Sequence, residues 1–409
     1  MSQTDQTTPS LADALSPANI ANPYPLYRQM READPVYWDE RINSWVLTTY
    51  AHNVSALRDT RFSAEGFMAE TAWIPEELRA TLEPPIRALT RQMLFLDPPD
   101  HTRLRGLVAK AFTPRMIEAL RPTIQQIADE LLDTAQANGR IELMREFAYP
   151  LPAIVIATML GVPPEDRDQF NTWTGHFGTL LDMSNSTLED IFHAISGVSE
   201  FLEYFRHIIR QRRTTPKDDL MQAMINAEEQ GDALSEEELL GNCVLILAAG
   251  HGTTTYLIGN GTLALLRNPD QLAQLQAHPS LISSAVPELL RYDGPVQLTS
   301  RRAKEDLYIA DKAISAGQEV IMLLGAANHD PAQFSAPDQL NLSRPENRHL
   351  AFGLGIHFCL GAPLARVEGE IAFSTLVRRF PGLHLETEDI AWQPSVVFRG
   401  PKQLPIILS

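Results

Sequence analysis

The sequence predicts a mainly α protein with a minor β region. Most segments of the 409-residue chain carry apolar side chains every three or four positions, which is the spacing of one helix face. Two of these stripes are Ile124–Ile127–Leu131–Leu132 and Ile191–Ile195–Val198–Leu202–Phe205. Prolines (29) outnumber glycines (22) and mostly fall between such segments. We therefore expect helices separated by turns that proline marks.

Strand-like pieces are short and lie in two parts of the chain. Val36–Trp38 and Trp45–Thr48 are near its start, and Leu307–Ile309 and Glu319–Leu324 are near its end. The length alone favours about two or three domains. No internal repeat and no low-complexity linker divides the sequence.

Composition excludes several classes of function. Asp and Glu (51) exceed Lys and Arg (34), and the net charge of −17 argues against sequence-independent binding of nucleic acid. Residues 1–23 lack the basic and apolar stretches of a secretion signal, and the most apolar run, Cys243–Gly250, is far shorter than a membrane span. Cys243 and Cys359 make no disulfide framework. We therefore expect a cytoplasmic, monomeric protein without a membrane anchor.

One predicted helix is unusually long. Ser235 and Glu238 form a capping box, and the helical pattern continues to Arg267, a run of about 48 Å at 1.5 Å per residue. Its middle contains poor helix formers, Ala249-Gly250-His251-Gly252-Thr253-Thr254-Thr255. Two interpretations stay open for this stretch. It is a seam of close helix packing, or a ligand lies against it while the hydroxyls loosen the helix.

The most informative segment surrounds the second cysteine and reads Phe352-Gly353-Leu354-Gly355-Ile356-His357-Phe358-Cys359-Leu360-Gly361. Its glycines permit a tight loop that brings main-chain N–H groups near the sulfur. A helical pattern follows directly, so the sulfur lies at a helix N-terminus, which favours a thiolate and hence an iron ligand. A lone cysteine is more often a buried structural residue, which is the alternative interpretation.

This segment resembles the haem-binding loop of the cytochrome P450 family, F-G-x-G-x-H-x-C-x-G. The resemblance spans about residues 23–408 and implies one large domain, with residues 1–22 as a flexible arm. It implies a haem b between the long helix and the helix after the loop, with Cys359 as axial thiolate. Phe352, Gly353 and Gly361 complete the haem-binding loop by the same resemblance.

Three further motifs resemble family positions. Glu288-Leu289-Leu290-Arg291 resembles the E-x-x-R motif, whose buried network Arg344 completes to brace the cysteine loop. Pro287 is expected to remove one hydrogen bond of that helix, and whether it also kinks the helix stays open. The family's propionate-contacting basic side chains match His101, Arg105, Arg301 and His357. Ala249-Gly250-x-x-Thr253 matches the oxygen-binding stretch, in which the Thr253 hydroxyl helps to deliver protons. Where the family usually carries an acid before that threonine, this chain has Gly252; water, His251, Thr254 or a substrate hydroxyl are the candidate replacements.

Substrate and partner follow from the resemblance too. The matching substrate-contact positions are apolar and indicate a hydrophobic small molecule of terpenoid, macrolide, steroid or fatty-acid type. They are Phe67, Met68, Leu94, Phe170, Trp173, Phe177, Leu180, Leu181, residues 296–298 and residues 396–398. No nucleotide-binding motif is present, so electrons come from separate proteins. Basic residues near the cysteine suit an acidic ferredoxin, itself served by a reductase. They are Arg103, Arg105, Lys110, Arg115, Arg344, Arg348 and Arg366.

The predicted activity is insertion of one oxygen atom of O2 into that substrate. Because Gly252 replaces the usual acid, a peroxide-driven enzyme and an enzyme resembling nitric oxide reductases are alternatives. A haem-binding sensor without turnover is a further alternative, and a protein without haem whose cysteine is structural is the last.

Overall fold

The computed structural model describes residues 9–65, 76–182, 186–229 and 234–408. Its α-helices, in chain order, are α1 (Tyr24–Ala33), α2 (Tyr50–Arg58), α3 (Glu76–Thr90), α4 (Asp100–Ala111), α5 (Pro114–Gln136), α6 (Pro150–Met159), α7 (Arg167–Leu181), α8 (Leu188–Thr214), α9 (Leu220–Glu229), α10 (Glu236–Arg267), α11 (Pro269–Ala277), α12 (Ile282–Tyr292), α13 (Leu324–Ala327) and α14 (Ala362–Arg379). The strands are β1 (Val36–Asp39), β2 (Ser44–Leu47), β3 (Phe62–Ser63), β4 (Arg140–Glu142), β5 (Thr299–Ala303), β6 (Leu307–Ile309), β7 (Lys312–Ile314), β8 (Glu319–Met322), β9 (His384–Leu385) and β10 (Pro405–Ile407).

The largest sheet joins the two strand-bearing parts of the sequence. Its order is β1-β2-β8-β5-β3, and β2 and β8 are parallel whereas the other neighbours are antiparallel. Trp38 opposes Trp45 in the first hairpin, and Trp45 pairs in turn with Val320. The predicted strands are confirmed, and β8 brings the late part of the chain back to its beginning.

Helices form the main core, as the apolar spacing predicts. Along α5, Ile124, Ile127 and Leu132 are buried and Leu131 is half-buried. Along α8, the members of the second stripe from Ile195 to Phe205 are buried. The long helix α10 begins at the predicted Ser235 capping box and crosses the core between α6, α8, α12 and α14. Mainly helical structure with small sheets is therefore confirmed.

Three details complete the fold. We expected residues 1–22 to form a flexible arm, but within residues 9–22 Ser10 donates a hydrogen bond to Asp39 and Arg399 donates to the carbonyls of residues 20 and 21.

Helix α12 runs through Pro287 without a break. Among the described residues, no helix combines the length and the apolar character needed to cross a bilayer.

Candidate active site

The cysteine loop depends on two glycines. Gly353 and Gly355 have φ angles of 67° and 76°, in the left-handed region that side chains other than glycine disfavour. A Cβ on Gly355 would lie 2.5 Å from the Leu57 carbonyl oxygen, because the loop packs directly on the backbone of α2. The Cys359 N–H donates to the Phe352 carbonyl at 2.9 Å and closes the loop. The backbone therefore fixes the position of the cysteine.

The sulfur of Cys359 lies just before the first residue of α14. The N–H groups of Gly361 and Ala362 point towards it, as expected for the start of a helix. Burial raises the pKa of the Cys359 thiol, and these N–H groups, with the positive charges of Arg105 and Arg366, act in the opposite direction. Without a metal the thiol thus keeps its proton more strongly than we expected from the helix terminus alone. Coordination to a metal ion removes such a proton.

A buried ionic network braces the loop from below. Both carboxyl oxygens of Glu288 accept from Arg291, at 2.8 and 2.9 Å, and Arg344 adds a third bond at 3.0 Å. Arg291 also donates to the Asn328 carbonyl, and the Asn328 side chain accepts from the Leu350 N–H at 2.7 Å. The network predicted for Glu288, Arg291 and Arg344 is present, and Asn328 connects it to the chain that enters the loop. No sequence motif had pointed to Asn328.

Basic side chains gather beside the loop. The rings of His101, from α4, and His357 are 4.3 Å apart, and Arg105 donates to the Phe358 carbonyl at 2.5 Å. Burial and the charge of Arg105 lower the pKa of His101; burial and the charge of Arg301 lower that of His357 to about 3. Both ring nitrogens of His101 and Nε2 of His357 are buried and have no hydrogen-bond partner among the described residues.

This cluster fits an anion. The guanidinium group of Arg301, on β5, donates to the Thr299 hydroxyl and to the Ser300 carbonyl rather than to a carboxylate. The charge of Asp97 acts in the opposite direction on the pKa of His101 and of Arg301, and its carboxyl group accepts from the Ala64 N–H at 3.0 Å and lies 3.8 Å from the Lys304 ammonium group. Orphaned nitrogens next to arginines indicate a site completed by carboxylates from outside the chain, such as haem propionates.

The middle of α10 presents an open face. The helix is continuous, and Thr253 donates to the Ala249 carbonyl at 2.8 Å, while Thr255 donates to that of His251 at 3.1 Å. A Cβ on Gly252 would meet no heavy atom within 4 Å. Ala249 is exposed, and Gly252 and Thr253 are half-exposed. These three residues therefore border free space, as the ligand interpretation requires.

Two of the predicted residues on α10 face elsewhere. A Cβ on Gly250 would lie 3.1 Å from Ile156 of α6, so Gly250 belongs to a helix-packing seam rather than to the open face. His251 is 1% exposed, meets the Tyr149 ring at 4.2 Å and lies 3.3 Å from the Thr174 hydroxyl. Burial lowers its pKa to about 4, so it is neutral at pH 7. Because its side chain points away from Gly252, His251 does not replace the missing acid. Both interpretations of this stretch thus hold, on opposite faces.

The predicted substrate contacts likewise divide into residues of the core and residues that are accessible. Phe170 and Trp173 lie between α7 and α8, where they pack on Phe201 and Tyr204, so they belong to the core. Phe177, Leu180, Gln297 and Leu298 are buried, and Leu181, Val296 and residues 396–398 are half-buried. Leu94 is exposed. Phe67 and Met68 lie outside the described residues.

The basic surface is smaller than the sequence suggests. Arg103 pairs with Glu238 at the start of α10, and Arg344 is held by Glu288, so both charges are already matched. Lys110, Arg115 and Arg348 are exposed. The Arg366 guanidinium lies over the Phe352 ring, 5.4 Å from its centre. This contact joins Phe352 of the cysteine loop to α14.

Comparison with known proteins agrees with this geometry. A family model described as Cytochrome P450 matches residues 76–402. The chain is 49% identical over 318 residues to Cytochrome P450 CYP107DY1 of Priestia megaterium, covering 77% of this chain and 76% of that protein. It is 41% identical over 398 residues to the polyketide biosynthesis cytochrome P450 PksS of Bacillus subtilis, covering 95% and 96%. The crystal structure of P450BioI in complex with an acyl carrier protein ligated with hexadec-9Z-enoic acid matches with a TM-score of 0.89 at 37% identity, covering 96% and 100%.

A helical fold with a cysteine at the start of a helix, an anion-binding cluster beside it and an open helix face define a haem-thiolate protein. The chain belongs to the cytochrome P450 family. Its members are oxidoreductases that use a haem with an axial cysteine thiolate, and monooxygenases are named among its relatives.

Proposed function

We propose that this protein is a monooxygenase that inserts one oxygen atom of O2 into a hydrophobic small molecule, with Cys359 as the axial ligand of haem b. The arrangement of the Cys359 sulfur, its facing N–H groups and the neighbouring basic cluster supports this assignment. The haem, when bound, supplies activation of dioxygen. Phe352, Gly353 and Gly361 shape the loop that holds the sulfur.

The chain's own residues then have distinct tasks. His101, Arg105, Arg301 and His357 would bind the propionates, whose negative charges would offset the burial and the neighbouring arginine charges that lower the pKa of both histidines. Ala249 and Gly252 leave room above the haem, and the Thr253 hydroxyl holds a proton at that face. Gly250 and Thr254 face away from this space: Gly250 packs against Ile156 of α6, and Thr254 is buried.

The substrate is proposed to be a long apolar molecule of the polyketide, macrolide or fatty-acyl type. Leu94, Val296 and residues 396–398 remain as accessible apolar contacts. PksS is named for polyketide biosynthesis, and P450BioI was crystallised with a fatty-acyl carrier protein. These relatives support an extended, apolar substrate over a compact polar one.

Electrons are proposed to come from an acidic ferredoxin and its reductase. Lys110, Arg115 and Arg348 are exposed, and Arg105 and Arg366 lie close enough to Cys359 to affect its pKa. An acidic donor is attracted to such a patch although the whole chain carries −17. Both cysteines are free thiols, which supports action in the reducing cytoplasm.

The absorption spectrum of the reduced protein with carbon monoxide tests the assignment. We expect a strongly red-shifted Soret band, which is characteristic of thiolate ligation, and we expect Cys359→Ala to lose it. Cys243→Ala is the matched control, since Cys243 is buried in α10 and is not part of the loop motif. A red-shifted band that survives in Cys359→Ala would remove the ligand role of Cys359.

The open space at Gly252 favours one second candidate, a peroxide-driven enzyme that needs no proton-delivering acid. Product formation with hydrogen peroxide alone, at a rate matching that with ferredoxin and reductase, would favour it. NADH oxidation tightly coupled to product formation would favour the monooxygenase. The same assay with nitric oxide as the electron acceptor tests the reductase alternative, and binding without turnover would indicate a sensor.

A further inference from the structure

Two segments of predicted substrate contacts, residues 296–298 and residues 396–398, are joined by backbone hydrogen bonds. The Gln297 N–H donates to the Val397 carbonyl at 2.8 Å. The Arg399 N–H donates to the carbonyl just before the first segment, also at 2.8 Å. Four of the six residues are half-buried and so border accessible space. The two segments therefore form one surface, which we call the apolar wall, and whatever fixes residue 399 fixes both of its parts.

The Arg399 side chain anchors the apolar wall in the core. Arg399 is 7% exposed, and its Nε donates to the Asp293 carboxyl group at 2.6 Å. Its two terminal nitrogens donate to the carbonyls of residues 20 and 21 at 2.9 and 2.8 Å. The guanidinium group also lies 3.8 Å from the centre of the Trp392 ring. Each nitrogen of the guanidinium group thus has a defined partner.

Asp293 and Asn260 connect this arginine to the helices beneath it. Asp293 directly follows α12, and the same carboxyl oxygen that accepts from Arg399 accepts from the Tyr24 hydroxyl at 2.6 Å. The Asn260 side chain, on α10, donates to the backbone carbonyls of both Asp293 and Arg399 at 3.0 Å. Asn260 lies about two helical turns beyond Thr253. The anchor therefore fixes the apolar wall relative to the open face of α10.

Filling the core does not require an arginine here. Replacement of a buried ion pair by apolar side chains of similar volume is often neutral or stabilising. A guanidinium group supplies a rigid plane of N–H donors that binds several partners in one geometry, which an apolar side chain cannot do. Arg399 uses these donors to join the N-terminal segment, the end of α12 and the apolar wall. The arrangement thus favours a role in fixing position.

We propose that Arg399, held by Asp293, is a positioning residue that sets the distance of the apolar wall from the open face of α10 and thereby selects ligands with a long apolar chain. Arg399 touches no reacting atom in this role and acts through residues 396–398. The inference deepens the proposed monooxygenase function and rests on it.

Two ligands that share a head group test the position of the wall without turnover. Imidazole and N-dodecylimidazole both bind a haem iron through the ring nitrogen, and only the second has a chain that reaches the apolar wall. Spectral titration of the purified haem protein gives both affinities. We expect Arg399→Lys, which keeps the charge but loses the plane of donors, to bind N-dodecylimidazole about tenfold more weakly and imidazole within about twofold of wild type.

Arg212→Lys is the matched control. Arg212, on α8, is 3% exposed, pairs with Asp219 at 2.9 Å and donates to the Gly161 carbonyl at 2.6 Å. It is therefore a second buried arginine with an acid and a backbone carbonyl as partners, but it makes no bond to the apolar wall. We expect both affinities of Arg212→Lys to stay within about twofold of wild type.

Amide hydrogen exchange measured by mass spectrometry locates the effect. We expect Arg399→Lys to speed exchange in peptides that cover residues 293–298 and 392–400, because these backbone bonds depend on the anchor. Arg212→Lys should instead speed exchange around Gly161 and Asp219. Wild-type exchange in residues 392–400 of Arg399→Lys would overturn the inference.

The outcomes separate the two proposals. A wild-type protein without the red-shifted carbon monoxide band would contradict the proposed function itself. With that band present, a wild-type protein that binds both ligands equally would overturn only the positioning role, as would an unchanged ratio of affinities in Arg399→Lys. If Arg399→Lys does not fold, Asn260→Ala, which removes two bonds of the anchor and no charge, carries the same test. A wild-type ratio in that variant would overturn the inference too.

Discussion

The two sides of the haem site are built in opposite ways. On the cysteine side, Glu288 accepts bonds from two arginines, an asparagine side chain and a backbone N–H, and Asn328 passes this rigidity to the loop. On the side of α10, Gly252 borders open space, and the carboxyl group of Glu368 on α14, which is 1% exposed, lacks a well-formed hydrogen bond. The comparison indicates that the metal-ligand side is fixed by many redundant bonds, whereas the side where substrate and protons arrive keeps unfilled space and unsatisfied groups.

Removal of Glu288 should produce the largest effect. Glu288→Ala leaves the buried Arg291 without its counter-charge, and breaking such a pair costs about 3–5 kcal/mol. We expect a large loss of stability in urea unfolding and little haem in the purified protein. Glu370→Ala, which breaks the more exposed pair with Arg121, should cost under about 1 kcal/mol. Equal losses in both variants would contradict the bracing role.

The loop itself should be nearly as intolerant. Gly355→Ala places a Cβ in a left-handed conformation and against the Leu57 carbonyl, so we expect a loss of about 3 kcal/mol. Gly106→Ala on α4 is the control, because a Cβ there meets no atom within 4 Å and alanine favours a helix. Thermal unfolding should fall in the first variant and hold or rise in the second. A stable Gly355→Ala protein with normal haem content would show that the loop can move.

His251 should make stability depend on pH on the α10 side. Its folded-state pKa of about 4 is below the usual 6.5, so the unfolded chain binds the extra proton first as the pH falls. Stability should therefore be full above about pH 6.5 and decrease towards pH 4, by about 2–3 kcal/mol for this group. Urea unfolding of His251→Phe should lack this part of the decrease. Parallel pH curves for the two proteins would exclude the effect.

The smallest effect should come from Gly252. Gly252→Ala adds a methyl group to open space and replaces a poor helix former, so we expect a gain of up to about 1 kcal/mol. Gly261→Ala on the same helix should instead destabilise, because its Cβ would overlap the Phe373 ring. Thermal unfolding of the two variants measures the difference. A loss in Gly252→Ala similar to that in Gly261→Ala would show that the face is packed rather than open.

Motifs predicted what depends on local spacing. The Ser235 capping box, the Glu288–Arg291 pair and the N-terminal position of Cys359 all follow from residues within a few positions of one another. The predicted basic patch was less successful, since Arg103 pairs with Glu238, a residue 135 positions away. A contact between residues so far apart in the chain leaves no periodic pattern in the sequence from which it could be predicted.

Residues whose role depends on a helix crossing could not be predicted either. Glu368 looks like an ordinary charged helix residue until α14 is placed against α10, where its side chain is buried. Likewise the resemblance to the family placed the aromatic residues Phe170 and Trp173 in a pocket, but α8 supplies Phe201 and Tyr204 to cover them. His251 and Gly252 are neighbours in sequence, and the 100° turn per residue sends them to different environments.

The parallel pairing of β2 with β8 has a consequence for how the chain folds. Trp45 meets Val320, a separation of 320 − 45 = 275 residues, and the cysteine loop packs on α2, which directly follows β2. At about 5–20 residues per second, synthesis of that interval takes roughly 14–55 s, during which the first hairpin has no partner. Contacts this far apart slow folding. We therefore expect haem capture to be a late event that follows the meeting of these distant segments.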